Sequence, residues 1–228
     1  MLNQYLIEKL STDFKIAPLN IIREYLEMEV LYYLSQSILE KNLIFYGGTA
    51  LRLAYHSFRF SEDLDFLLTK DLPSGKKELN DVLNKVVKDN PKISVEEVFE
   101  KRYTLFGLLH VKNELLKHPI RIKIEISKKK NGVESDYLLL TTPFSNKEAI
   151  IKTATLEAIY KLKRKSIQER RVMRDWFDFW YLSQKLGRDN IIQEKFPFPV
   201  HEFSRELKRY LPRDKWKIID SVIGFYTK

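Results

Sequence analysis

Apolar residues recur at helical spacing from Ile21 to Lys41, where Ile22, Tyr25, Leu26, Leu31, Leu34, Ile38 and Leu39 fall on one broad stripe. The period then changes. Leu43–Tyr46 is a short apolar run stopped by Gly47-Gly48, the pattern of a buried strand entering a tight turn. Thr49 is placed to cap a short helix reaching Tyr55, and Asp63–Leu68 reads as a second strand, apolar around two acids. Lys76–Asp89 predicts a helix ended by Asn90-Pro91, and Ile93–Phe99 and Tyr103–Val111 predict strands. Ile120–Ser127 alternates most cleanly, with Ile120, Ile122, Ile124 and Ile126 on one face and Arg121, Lys123, Glu125 and Ser127 on the other. Asn131-Gly132 is a hairpin-type turn signal, so Tyr137–Thr142 is expected to return beside that strand.

After Pro143 the pattern shifts. Ser145 and Glu148 have capping-box spacing. Thr155–Ser166, Val172–Leu186, Val200–Tyr210 and Asp214–Tyr226 all read as helices, punctuated by Pro197, Pro199 and Pro212. The expectation is a mixed α/β half over residues 1–143 and a helical half over 144–228.

Composition narrows the chemistry. The chain has 228 residues, 44% hydrophobic and 31% charged, as in a globular protein rather than a disordered one. Forty basic against 31 acidic residues give +9, which favours an anionic partner such as nucleic acid or a nucleotide. The absence of cysteine excludes disulfides, thiolate metal sites and thiol nucleophiles. No run approaches the ~20 apolar residues of a membrane span, and the charged N-terminus is a poor signal peptide. A cytoplasmic location without a membrane partner is therefore expected. The four histidines have no zinc-like spacing.

Chemistry concentrates in residues 45–68. Residues two apart on a strand share a face, so Asp63 and Asp65 present adjacent carboxylates while Leu64 turns inward. Such a pair repels unless a cation lies between its members. An all-oxygen donor set suits Mg²⁺ (or Mn²⁺), which binds through one or two carboxylates and substrate phosphates. Gly47-Gly48 lets backbone N–H groups approach a phosphate, and Thr49 offers a hydroxyl. Glu125 would join the pair if its strand neighbours Asp63–Leu68, and two metal ions could then serve a phosphoryl transfer. The bland alternative stands beside this. An isolated D-x-D is weak, and a strand glutamate usually faces solvent, here pairing with Lys123 or Arg121.

The ordered set Gly47-Gly48-Thr49-Ala50-Leu51, then Arg59-Phe60-Ser61-Glu62-Asp63-Leu64-Asp65-Phe66, resembles the signature of the AbiEii/AbiGii-type nucleotidyltransferase toxins, of the DNA polymerase beta-like superfamily. Glu157, Lys161 and Arg174-Asp175-Trp176-Phe177-Asp178 resemble the later motifs of that family. The resemblance implies an α+β fold: a polymerase-beta-like mixed sheet with flanking helices, then a C-terminal helical bundle. It implies an NTP and Mg²⁺, an RNA acceptor such as the tRNA 3′ end, and a toxin of a toxin–antitoxin or phage-defence system with an antitoxin partner. Under it Asp63 and Asp65 hold metal, Glu125 is the third acid, Gly47, Gly48, Thr49 and Ser61 adjoin the phosphates, Lys161 contacts the triphosphate, and Asp175 is the later functional acid. The motif arginine is either Arg170 or Arg171. An inactive nucleotide- or RNA-binding protein on the same scaffold and a protein-modifying transferase are the alternatives; the intact acidic pair weighs against the first.

Residues 161–174 hold seven cations in fourteen positions. Lys163, Arg164, Lys165, Arg170 and Arg171 are candidates for an RNA groove, against the ordinary fate of a solvated charged face. Lys128-Lys129-Lys130 reads as an exposed hairpin tip, and the aromatics of residues 176–181 as core. Asp175 and Asp178 share a helix face, so a structural pairing with Arg174 or Lys161 competes with a chemical role.

Overall fold

The computed structural model describes residues 2–112, 118–129, 132–189 and 196–227. Helix α1 (Gln4–Asp13) is capped by Asn3, whose side chain accepts from the Leu6 N–H. Helix α2 (Pro18–Ser35) opens on a proline, where the missing N–H costs nothing. The chain continues through β1 (Leu43–Tyr46), α3 (Gly47–Tyr55), β2 (Asp63–Leu68), α4 (Gly75–Asp89), β3 (Ile93–Glu100), β4 (Thr104–Val111), β5 (Ile120–Ser127), β6 (Ser135–Leu140) and β7 (Ala149–Ala154). It ends in α5 (Leu156–Glu169), α6 (Met173–Lys185), α7 (Val200–Lys208) and α8 (Ile218–Thr227).

The strands form one seven-stranded mixed sheet in the order β3-β4-β5-β2-β1-β7-β6. β2/β5 and β1/β7 are parallel and the other pairs antiparallel. The alternation of β5 survives folding: its four isoleucines are buried against the helices, and Lys123 and Glu125 lie on the open face. Leu64 and Phe66 fix β2 in the same way, the Phe66 ring packing tilted against Phe45 of β1 with centroids 5.1 Å apart.

Three local expectations are corrected. Thr49 does not cap α3. The helix starts at Gly47 with Tyr46 as its N-cap residue, and the Thr49 hydroxyl, wholly buried, donates to the Asp63 carbonyl at 2.6 Å. β6 does not return beside β5, whose two edges are already taken by β4 and β2; it pairs with β7 at the far side of the sheet. Asn131 of the expected turn, and Lys130, lie outside the described residues. No helix follows Ser145, whose hydroxyl instead accepts from the Lys147 N–H. Residues 149–154 form a strand beside β1, with Ala149, Ile151 and Thr153 buried and Ile150 exposed. β-Branched alternation there outweighs the capping signal. The sheet thus runs to Ala154, and the helical part begins at α5, which Thr155 caps by accepting from the Ala158 N–H.

The aromatic run of α6 is core: Trp176, Phe177, Phe179, Trp180 and Tyr181 are all buried. Phenol hydrogen bonds tie the helices to the sheet. Tyr181 donates to the Tyr55 carbonyl and Tyr55 to the Ala154 carbonyl, each at 2.7 Å. Among the described residues no helix is long and apolar enough to cross a membrane.

Candidate active site

The open face of the sheet carries a row of polar side chains across three adjacent strands. Asp65 is paired in register with Tyr46 on β1 and with Glu125 on β5, and Asp63 with Lys123. Side chains at paired positions share a face, so Asp63, Asp65 and Glu125 come together with a lysine among them. The Lys123 ammonium lies 3.2 Å from Asp63 Oδ2 and 3.5 Å from Glu125 Oε2. Burial opposes its charge, but Asp63, then Glu125 and Asp65, outweigh this and raise its pKa above the ordinary lysine value. Asp65 sits deepest. Loss of solvation, and next the Asp63 carboxylate, push its pKa up to about 6. Burial, then Asp65 and Glu125, likewise raise the Tyr46 phenol.

The Gly-Gly turn is dictated by this floor. Gly47 has φ +86°, and a Cβ there would stand 2.5 Å from Asp65 Oδ2. A Cβ on Gly48 would collide with the Arg59 guanidinium and lie 2.6 Å from Ser61 Oγ. Two side-chain-free residues are therefore what allows Asp65, Arg59 and Ser61 to press against the start of α3.

The opposite wall comes from α5 and α6 and is built on a buried ion network. Arg59 donates from Nε and Nη2 to the two oxygens of Asp178, both at 2.8 Å. Lys163 Nζ lies 2.6 Å from Asp175 Oδ1 and 2.7 Å from Asp178 Oδ2. Arg59, Lys163, Asp175 and Asp178 are all buried. Burial opposes the Asp178 charge, yet Arg59 and then Lys163 hold its carboxyl below the usual range. Arg170 Nε stands 2.8 Å from Asp175 Oδ2, but off the hydrogen-bonding direction, so among the described residues this oxygen has no hydrogen-bond partner. Glu62, between Ser61 and Asp63, holds Arg23 of α2 at 2.5 Å and Arg174 of α6 at 2.6 Å, joining floor and wall. Between them lies a cleft of about 630 Å³ whose lining includes Gly47, Ser61, Asp63, Lys123, Lys163 and Arg174.

The family model for the nucleotidyl transferase AbiEii toxin of type IV toxin–antitoxin systems matches residues 29–217. The chain belongs to the AbiEii nucleotidyltransferase toxin family. Solved structures that share its fold include the following two. MenT4, a nucleotidyltransferase toxin from Mycobacterium tuberculosis H37Rv, is 17% identical with a TM-score of 0.56, covering 99% of this chain and 90% of its own. JHP933 from Helicobacter pylori is 20% identical with a TM-score of 0.55, covering 92% of this chain and 80% of its own. A search of curated proteins finds no match. This AbiEii protein is accordingly a nucleotidyltransferase on a mixed sheet with flanking helices.

Most of the residues expected from the sequence converge on the cleft of this AbiEii chain. Gly47, Gly48, Ser61, Asp63, Asp65, Glu125, Asp175, Lys163 and Arg170 all line it. Two expectations are corrected on geometry. Thr49 has its hydroxyl committed to β2, leaving no side-chain donor for a phosphate. Lys161 points away: its side chain is 70% exposed and 3.9 Å from Glu157. The lysine of α5 that faces the cleft is Lys163, two residues on and therefore on the opposite side of the helix, between the buried Ile159 and Ile167. Of the other cations named for RNA, Arg164, Lys165 and Arg171 are exposed, Lys165 beside Glu169 at 3.6 Å. Of Arg170 and Arg171, Arg170 stands 2.8 Å from Asp175. Lys128 pairs with Glu100 at 2.6 Å, whereas Lys129 lines the cleft.

Lys123, Arg59, Asp178, Tyr46 and Arg174 were not singled out for function from the sequence. A signal existed for two of them. An arginine between Phe58 and Phe60, and a second aspartate inside an aromatic helix, must be buried, and buried charges come in pairs.

Among the described residues no group of three His, Cys, Asp or Glu side chains is arranged to hold a metal ion. The chemistry of the floor nevertheless fits a hard divalent cation. Asp63 and Asp65 supply oxygens, Mg²⁺ takes its remaining ligands from water and phosphate, and a cation already stands between Asp63 and Glu125 in the form of the Lys123 ammonium.

Proposed function

We propose that the cleft binds an NTP together with Mg²⁺ or Mn²⁺ and transfers the nucleoside monophosphate to a hydroxyl of RNA, with the tRNA 3′ end as the leading acceptor. The observation that carries this reading is the register of β2 and β5, which sets Asp65 beside Glu125 and Asp63 beside Lys123 beneath the Gly-Gly turn. Asp63 and Asp65 hold the metal, which when bound neutralises the triphosphate and polarises the α-phosphate. Gly47 and Gly48 bring the first turn of α3 and its free N–H groups to the phosphates. Lys163 supplies a fixed positive charge, its position set by Asp175 and Asp178. Ser61 donates at the same end. The acceptor oxygen attacks the α-phosphorus, pyrophosphate leaves, and Glu125, beside Asp65 on the open face, receives the hydroxyl proton.

Charge supports the nucleic-acid acceptor. Lys129, Arg170 and Arg174 line the cleft, Arg164, Lys165 and Arg171 continue from α5 as exposed cations, and the net charge is +9. The type IV toxin–antitoxin description of the family supports an antitoxin counterpart. An acceptor screen tests the reading. The protein is incubated with Mg²⁺ and each α-labelled NTP, with total tRNA in one arm and lysate protein in the other. Label in tRNA is the expected result; label confined to protein, or none in either arm, contradicts it.

A further inference from the structure

The carboxylates of the cleft floor crowd one another, Asp65 poorly solvated and Asp63 and Glu125 partly exposed, so each needs a nearby counter-charge. On the wall this is done permanently: Asp178 is clamped by Arg59 and Lys163, all three buried. On the floor the only counter-charge within ion-pair distance of Asp63 and Glu125, among the described residues, is Lys123, and this lysine differs from those of the wall in three respects. Its contacts are longer, at 3.2 and 3.5 Å against 2.6 and 2.7 Å for Lys163. A third of its side chain is exposed. It stands on the strand that carries Glu125, two residues before it, so its ammonium reaches Asp63 across the strand pair on the face that opens into the cleft. A lysine ammonium on a flexible four-carbon stem is a point charge that re-aims at little cost.

We propose that Lys123 is an exchangeable internal counter-ion: it bridges Asp63 and Glu125 in the metal-free protein, is displaced by the incoming divalent cation, and then turns its ammonium to the phosphate chain of the nucleotide. The inference rests on the metal–nucleotide reading of the cleft and adds a residue to it. The exchange leaves Asp63 with a cationic neighbour at each stage. Before loading, the ammonium prevents the carboxylates from repelling one another. After loading, Asp63 and Asp65 would hold the metal, Glu125 would be left free, and the released ammonium would face the same cleft as Lys163 from the opposite side, where a triphosphate would place its negative charge.

Such a residue has an unusual signature, because its removal affects the metal and the phosphate chain in opposite directions. The experiment uses the full chain and two probes, Mn²⁺ alone followed by the electron paramagnetic resonance of the free ion, and inorganic tripolyphosphate at saturating Mn²⁺ followed by calorimetry. Wild type is compared with Lys123→Met, Lys123→Gln and Asp63→Asn, each checked for folding by its melting curve. The expected result is Mn²⁺ binding about fivefold tighter in both Lys123 variants, the scale of losing one or two half-exposed ion pairs, with tripolyphosphate binding weaker by a similar factor. Asp63→Asn should lose Mn²⁺. Unchanged or weaker Mn²⁺ binding in the Lys123 variants overturns the proposal, since a static structural bridge would give that. Tighter Mn²⁺ binding with unaltered tripolyphosphate affinity also overturns it, by removing the second half of the exchange. If wild type and all variants bind neither probe, the metal–nucleotide reading itself fails; if wild type binds both and Asp63→Asn loses Mn²⁺, that reading stands whatever Lys123 does.

Discussion

Gly47→Ala separates the backbone requirement of the turn from its role in placing Asp65. Gly47 has φ +86°, where an L-residue is strained, and its added Cβ would lie 2.5 Å from Asp65 Oδ2 and 3.2 Å from Asp65 Cβ. Ordinary contact begins near 3.4 Å, so the carboxylate must retreat by close to an ångström. The backbone term alone is about 1–3 kcal/mol. The displacement acts on activity more than on stability, because an error of ~1 Å in a positioned group can lower a rate about 10²-fold. Gly187→Ala is the matched control: Gly187 also has positive φ, at +61°, but a Cβ there meets nothing within 4 Å. Urea unfolding should show losses of comparable size for the two variants. Label transfer from NTP should fall about 10²-fold for Gly47→Ala and stay near wild type for Gly187→Ala. Retained transfer in Gly47→Ala, or an equal loss in Gly187→Ala, would refute the claim that the turn exists to seat Asp65.

Asp178→Ala leaves the Arg59 guanidinium and the Lys163 ammonium buried with fewer counter-charges and should cost about 3–5 kcal/mol in chemical unfolding. Lys163→Met should abolish detectable transfer and weaken nucleotide binding, whereas Lys161→Met should change neither by more than about twofold, since Lys161 is exposed and outside the cleft. The raised pKa of Asp65 makes the metal-free fold pay an ionisation penalty that is absent near pH 4, grows as pH rises and is complete above about 6. Metal-free Asp65→Asn should therefore melt above wild type at pH 8, with the difference shrinking towards pH 4.

The strands that build the floor were legible because their faces differ. Four isoleucines alternating with Arg121, Lys123, Glu125 and Ser127 give the direction of β5 outright, and Asp63-Leu64-Asp65 does the same for β2. What the sequence did not carry is which strands become neighbours. The Asn131-Gly132 signal suggested a local hairpin, but β5 had both edges occupied, a fact of topology rather than of residues 128–142. The strand at 149–154 was masked by a Ser145–Glu148 spacing that imitates a helix start, although Ile150, Ile151 and Thr153 favour a strand. The choice of lysine on α5 was decidable in principle. Ile159, Lys163 and Ile167 recur every four residues on the buried face, so the anomalous cation in an apolar stripe was the informative one, not the exposed Lys161. Lys123 was foreseen as a partner of Glu125 in a solvent-facing pair; folding places that pair in the cleft, where the same contact acquires a functional meaning.

The central claim is that the Asp63–Asp65 pair holds a divalent cation through which this fold moves a nucleotide. The most direct measurement is transfer of α-labelled NTP to tRNA by wild type and by Asp63→Asn, each with Mg²⁺ and with EDTA, after melting curves have shown both proteins folded. The account predicts label in tRNA for wild type with Mg²⁺ alone, and background for wild type with EDTA and for Asp63→Asn throughout. Transfer by Asp63→Asn at the wild-type rate, or transfer undiminished by EDTA, would contradict it.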